Sequence, residues 1–187
     1  MISLVLRICG LAMLLILGAC SAPVQKPETQ ALASPMLRLL PAALGHDLAL
    51  QQRLTIIAQG QTHHADVMLE VDKELVRLNL ISLGRTGTRL TWDGTQLDET
   101  RAPWWPDSVR GDRILNDLQL VYWPVATIRA ALPSGWTLDE QHERRVLRQN
   151  GQAIATIEYA SSTETYFSHE LDGYRLLIES HPAGEAL

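Results

Sequence analysis

From Leu48 to Ser180 the chain alternates apolar and polar residues with a period of two, and nothing else in it restricts the fold so tightly. Successive side chains of a strand leave on opposite faces, so this alternation marks strands with one face buried and one in water. Leu48, Leu50, Leu54, Ile56 and Ala58 share one face, with Gln52 the exception. Ala65, Val67, Leu69 and Val71 alternate with His64, Asp66, Met68 and Glu70; Val76, Leu78 and Leu80 follow after a tight Asp72-Lys73 connection. Gly84 and Gly87 frame a turn, after which Leu90 and Trp92 point inward and Asp93-Gly94 makes the next hairpin. These strands are consecutive and closely linked, which predicts an antiparallel meander.

After Pro106 the period changes. Ile114, Leu115, Leu118, Val121 and Tyr122 form a helical stripe, with Asp112 placed to cap it and Pro124 to end it. Val125, Ile128 and Leu132 suggest a second short helix. Alternation then returns over 136–141, 144–149, 152–160, 166–170 and 174–180, with Asn150-Gly151 and Asp172-Gly173 as turns. The expected class is therefore mainly β with a helical insertion, an α+β fold. A long antiparallel sheet curls because its strands twist, and its apolar inner face needs a cover. Only the two helices and the Met36–Leu44 segment can supply one. The resulting shape is an antiparallel half-barrel with a helical lid, which tends to leave an apolar cavity under the lid. Leu78, Leu80, Leu90, Trp92, Leu118 and Tyr122 are the expected walls of that ligand-binding space.

The amino terminus reads as a targeting segment. Arg7 precedes a short apolar run, Ile8–Leu17, and then comes Leu17-Gly18-Ala19-Cys20. A branched apolar residue, two small residues and a cysteine match a bacterial lipobox. Small residues fit a narrow protease site, and the Cys20 thiol must stand at the new terminus to carry lipid. Residues 1–19 are thus a lipoprotein signal peptide and Cys20 the lipidation site. Ser21, in place of the Asp that marks inner-membrane retention, sorts the protein to the outer membrane, facing the periplasm. Residues 20–35, rich in Pro, Ala, Gln and Ser, read as a flexible tether, and 36–187 as one domain. Of the two cysteines, Cys9 is discarded and Cys20 acylated, so no disulfide is expected. Loss of Arg7 takes the net charge from −5 to −6; nucleic acid, which needs a basic surface, is excluded as a partner.

No nucleophile elbow, Walker loop, C-x-x-C pair or H-E-x-x-H helix is present, so no catalytic residue, metal or cofactor is expected. His63 and His64 leave a strand on opposite faces and cannot easily share an ion. His169-Glu170 begins like a zinc helix but lacks its second histidine. Arg144, Arg145 and Arg148 read as an exposed basic face. Trp104 and Trp105, between sheet and helix, either plug the barrel end or serve as a mouth or membrane contact.

Several segments together resemble a family of Gram-negative lipoproteins of unknown function. They are Leu40-Pro41, Leu44-Gly45 and Gln51-Gln52-Arg53-Leu54-Thr55; then Ile114-Leu115-Asn116-Asp117-Leu118-Gln119-Leu120-Val121-Tyr122-Trp123-Pro124, that family's most recognisable motif; and finally Gly173-Tyr174-Arg175-Leu176 with Ile178. Members are often encoded beside aryl-polyene or fatty-acid-like biosynthesis genes. In outline they are similar to LolA and LolB, the periplasmic carrier and outer-membrane receptor of lipoprotein acyl chains. The resemblance implies a non-enzymatic outer-membrane protein that binds or transfers a lipoprotein acyl chain or polyene lipid, with a periplasmic carrier protein as partner. LolB pushes an exposed apolar loop residue into the membrane. Here the comparable turn, Gly84-Arg85-Thr86-Gly87-Thr88, reads as polar, which leaves Trp104-Trp105 as the substitute wedge. The other reading of the chain is a structural or assembly lipoprotein whose barrel is filled by its own side chains.

Overall fold

The computed structural model describes residues 35–184. The expected signal peptide, the expected lipidation site Cys20, Ser21 and all but the last residue of the expected tether lie outside the described residues. Ten strands form one antiparallel sheet: β1 (Leu48–Ala58), β2 (Gln61–Val71), β3 (Val76–Ser82), β4 (Arg85–Trp92), β5 (Leu97–Arg101), β6 (Trp136–Gln141), β7 (Arg144–Gln149), β8 (Gln152–Tyr159), β9 (Glu164–His169) and β10 (Tyr174–Pro182). Their order is β5-β4-β3-β2-β1-β10-β9-β8-β7-β6. The sheet is open, with β5 and β6 as its two edges, where charged Asp98, Glu99, Asp139 and Glu140 discourage pairing with another chain. Each run of strands is a meander, as the alternation predicts. What unites them is β1 against β10, paired from Leu50↔Pro182 to Ala58↔Tyr174. No local pattern announces a contact between residues so far apart.

Helix α1 (Gly111–Tyr122) and the short α2 (Val125–Ala131) complete the fold, and Pro124 separates them as its missing N–H requires. Among the described residues no helix is long and apolar enough to cross a membrane. Asp112 does not cap α1. The helix begins one residue earlier, and the Gly111 N–H donates to Glu99 on β5 at 3.2 Å. Glycine eases that close approach: a Cβ at position 111 would lie 2.6 Å from the tip of Leu90 and 2.8 Å from the Glu99 carboxylate, and those side chains would have to shift.

The carboxyl end of α1 is tied down. Arg145, expected on an exposed basic face, turns inward instead. Its guanidinium donates to the carbonyls of Leu120, Val121 and Trp123, each at 3.0 Å, and pairs with Glu140 at 2.8 Å. Tyr159 donates to the Val121 carbonyl at 2.6 Å. The last carbonyls of a helix lack partners and attract cations, so an arginine reaching over from β7 satisfies both needs. Arg144 and Arg148 stay at the surface, paired with Glu158 and Asp139.

Residues 36–40 form an extended strap along α1, followed by a single 3-10 turn, Pro41–Leu44. The strap's backbone bonds to side chains of the helix. Asn116 Oδ1 accepts from Leu37 N at 3.0 Å, Gln119 Oε1 accepts from Leu39 N at 3.2 Å, and Gln119 Nε2 donates to the Leu39 carbonyl at 3.1 Å. Two indoles complete the attachment. Trp92 Nε1 donates to the Leu39 carbonyl at 2.8 Å and Trp123 Nε1 to the Leu40 carbonyl at 3.0 Å. Asn116 and Gln119 are fully buried yet fully used, which is the condition for tolerating a buried amide.

Candidate functional site

Between α1 and the middle of the sheet lies a cavity of about 410 Å3. Its floor is β1 and β10, through Leu54, Ile56, Leu176 and Ile178, with Leu78 and Leu80 of β3 on one flank and Phe167 of β9 on the other. Its roof is α1, through Ile114, Leu118, Val121 and Tyr122. The lining is mostly apolar because the strands turn their apolar face toward the helix, even-numbered residues on β1, β3 and β10 and odd-numbered ones on β2 and β9.

Four of the six expected wall residues, Leu78, Leu80, Leu118 and Tyr122, line this space. Leu90 and Trp92 do not. Both are buried, but in the solid part of the interior, where Trp92 holds the strap and Arg38 lies 5.1 Å above its ring. The strap covers Trp92 and the start of α1 lies against Leu90, and alternation cannot foresee a segment laid over a strand. Trp105 is buried against β4, where Gly87 makes room: a Cβ there would lie 1.9 Å from the ring. Trp104 is 37% exposed, stacked edge-on with Trp105 at 5.6 Å and covered by the Arg85 guanidinium at 4.9 Å. Trp105 is therefore a plug and Trp104 a surface ring.

The β3–β4 turn also departs from expectation. Gly87 lies within β4, and the turn is Leu83-Gly84, with φ of 52° and 70°. Two consecutive positive φ values mark the hairpin turn whose twist matches its strands. Asparagine-glycine suits that turn; leucine does not. Leu83 nevertheless occupies it and is 95% exposed, so the turn does carry an apolar residue at its tip. Strand registers place this tip at the same rim of the sheet as the Gln59-Gly60 and Glu170–Gly173 turns. The cavity opens at that rim, since its lining there includes exposed Gln59, Ser108 and Arg110.

Polar side chains within the cavity fall into two groups. At the deep end, the apparent error in the β1 pattern, Gln52, is buried; its amide donates to Tyr122 Oη at 2.6 Å and to Ser180 Oγ at 2.7 Å. Nearer the rim, Tyr174 of β10 donates to the Asp117 carboxylate. Burial outweighs that hydrogen bond and nearby Arg113, and raises Asp117 from 3.8 to about 7. Arg113 pairs with Asp172 and lies 3.2 Å from His169 Nε2. Burial, and then the Arg113 charge, lower His169 to about 4. The Asp172 backbone N–H donates to His169 Nδ1 at 3.1 Å, so the neutral ring sits between the Asp172 turn and Arg113. The rings of Phe167, His169 and Tyr174 cluster, with Tyr174 stacked against both of the others at 6.0 and 5.2 Å.

Sequence reasoning missed Gln52, Arg113, Asp117, His169 and Tyr174 as part of this site. The available signal was disagreement at one position: Gln52 broke an apolar alternation.

An open ten-stranded antiparallel sheet roofed by a helix over an apolar cavity defines the class to which this chain belongs. Within it, the chain belongs to a family described as protein of unknown function (DUF3261), whose pattern matches residues 49–182. The match runs from β1 to the end of β10 and so includes every strand and both helices. No curated protein matches the chain.

Proposed function

We propose that this protein binds the hydrocarbon part of a lipid-like molecule and passes it to or from a membrane without chemically altering it. The single observation that carries this reading is the cavity of about 410 Å3, apolar on floor and roof and open at one rim. Pockets that hold one small ligand span about 300–1,000 Å3. Each buried methylene contributes roughly 0.8 kcal/mol, so a modest length of chain supplies useful affinity and remains exchangeable.

The rim supports membrane delivery. Leu83 stands 95% exposed at its hairpin tip, in a backbone conformation that costs an L-residue about 1–2 kcal/mol. Trp104, Arg85 and Leu83 together offer an aromatic ring, a cation and an aliphatic tip, a set suited to the edge of a bilayer. A LolA/LolB-like carrier or receptor, held on the periplasmic face of the outer membrane by acylated Cys20 and loaded by a periplasmic carrier, accommodates these features. A self-filled structural lipoprotein accounts for the packing under β4 but not for the space over β1 and β10.

The test is direct. Protein purified from its own host is examined by native mass spectrometry and solvent extraction, with the intact mass reporting acylation at Cys20. A co-purifying hydrophobe is expected. Cavity-bound lipid absent from every preparation, together with no uptake of added hydrophobe, would falsify the reading.

A further inference from the structure

The polar groups of the cavity are sorted by depth, and the sorting bears on how a ligand lies in it. At the deep end Gln52, Tyr122 and Ser180 bond to one another, so the Gln52 amide N–H groups and both hydroxyls are engaged within the protein. At the rim two guanidinium groups, Arg110 and Arg113, line the opening. Arg110 pairs with Asp112 and Arg113 with Asp172. Among the described residues, Arg113 makes its side-chain hydrogen bonds through Nη1 alone. A guanidinium carries five N–H donors in a fixed fork, so Nε and Nη2 remain to bond a ligand. The amino end of α1 lies at the same place, with its Gly111 N–H already bonded to the Glu99 carboxylate and its Arg113 N–H to Asp112.

We propose that the cavity takes a single-chain amphiphile with an anionic head group, its chain directed inward over Leu54, Leu78 and Leu118 and its head held by Arg113 with Arg110 beside it. This rests on the reading of the cavity as a hydrophobe site and goes further by fixing the ligand's polarity and direction. One chain suffices because the volume lies near the lower end for a one-ligand pocket. An anion is selected because both lining guanidinium groups keep N–H donors at the opening beyond those bonded to Asp112 and Asp172. Of the carboxylates that line the cavity, Asp172 is paired with Arg113, and burial raises Asp117 to about 7, which lessens its charge at the opening.

The experiment uses the full chain kept soluble in amphipol, with protein-free amphipol as control. Two fluorescent probes share one hydrocarbon chain: cis-parinaric acid and its alcohol, cis-parinaryl alcohol. The acid is expected to bind at least about tenfold more tightly, the usual difference for a hydrogen bond to a charged group. Arg113→Met should abolish this preference and Arg110→Met should reduce it at least about threefold, with circular dichroism confirming the fold. If Arg113→Met does not fold, the exposed Arg110→Met decides. Displacement by hexadecanoate and by hexadecyl phosphate tells a carboxylate head from a phosphate one. Equal binding of acid and alcohol overturns the head-group assignment and leaves the hydrophobe reading intact. An acid preference that survives both substitutions overturns it too. Failure of both probes to bind overturns the two together.

Discussion

The inner face of this sheet is solid in one half and hollow in the other. In front of β4, Leu37 and Leu39 of the strap press between α1 and Trp92, and the ground is filled. In front of β1 and β10 the same helix stands off, and Leu54, Ile56 and Leu176, only partly buried, look into the cavity. Both halves have apolar strands facing an apolar helix. What differs is a third layer, a length of irregular chain that two amides of α1 hold in place. Hydrophobic patterning decides which face is inside; a strap decides whether the inside is full.

Two leucines of α1 give the strongest test of this contrast. Leu120 is completely buried on the solid side, while Leu118 lines the cavity at 8% exposure. Leu120→Ala should lose about 3–5 kcal/mol, because it opens a void in close packing. Leu118→Ala, which enlarges a space already present, should lose less than about half as much. Equal losses in urea unfolding would erase the distinction between filled and hollow halves.

Next in size is the strap itself. Gln119→Ala removes two hydrogen bonds and leaves the Leu39 N–H without its side-chain acceptor, at an expected cost of about 2–3 kcal/mol. Hydrogen exchange at Leu37 and Leu39 should rise with it, while exchange in β1 and β10 stays slow. Exchange rising uniformly through the sheet would mean that the strap is no separate layer.

Asp117 sharpens the comparison through pH. Its folded-state value of about 7 lies above the ordinary 3.8, so the folded protein favours the protonated form. That contribution is complete below pH 3.8 and is lost as pH rises through 7. His169 runs the other way: lowered from 6.5 to about 4, it contributes fully above pH 6.5 and loses that contribution as pH falls toward 4. Asp117→Asn should therefore gain on the wild type steadily between pH 4 and 7, then hold its advantage. Urea midpoints measured across that range, constant relative to the wild type, would contradict it.

The smallest expected effect is a gain. Leu83→Asn places the preferred residue in the Leu83-Gly84 turn and should stabilise the protein by about 1 kcal/mol. Binding to vesicles should weaken in the same variant. Stronger folding with unchanged vesicle binding would free the rim of any membrane role.

Much of the fold was legible because strands and amphipathic helices write their periods into the chain. Every strand of the second meander fell within a few residues of its expected place, and Pro124 ended α1 as its chemistry demands. Other features have no local signature. The β1–β10 pairing joins residues more than a hundred positions apart. The strap is held by amides of a helix eighty residues away in sequence. Arg145 looks like any basic surface residue until α1 arrives to need its charge. As for the site, the four apolar walls were readable, since a wall is only an inward-facing residue. Leu90 and Trp92 misled because inward-facing does not mean uncovered. Gln52 was visible as an interruption and Asp117 was not, and their partners, Ser180 and Tyr174, come from the far end of the chain.

The attachment of residues 36–40 to α1 also sets where tension is felt. A pull on the chain upstream of the strap is borne first by the Leu37 and Leu39 bonds to Asn116 and Gln119, before any strand is loaded. Because Arg145 anchors the opposite end of that helix, such a pull acts as torque, levering the roof about a fixed hinge.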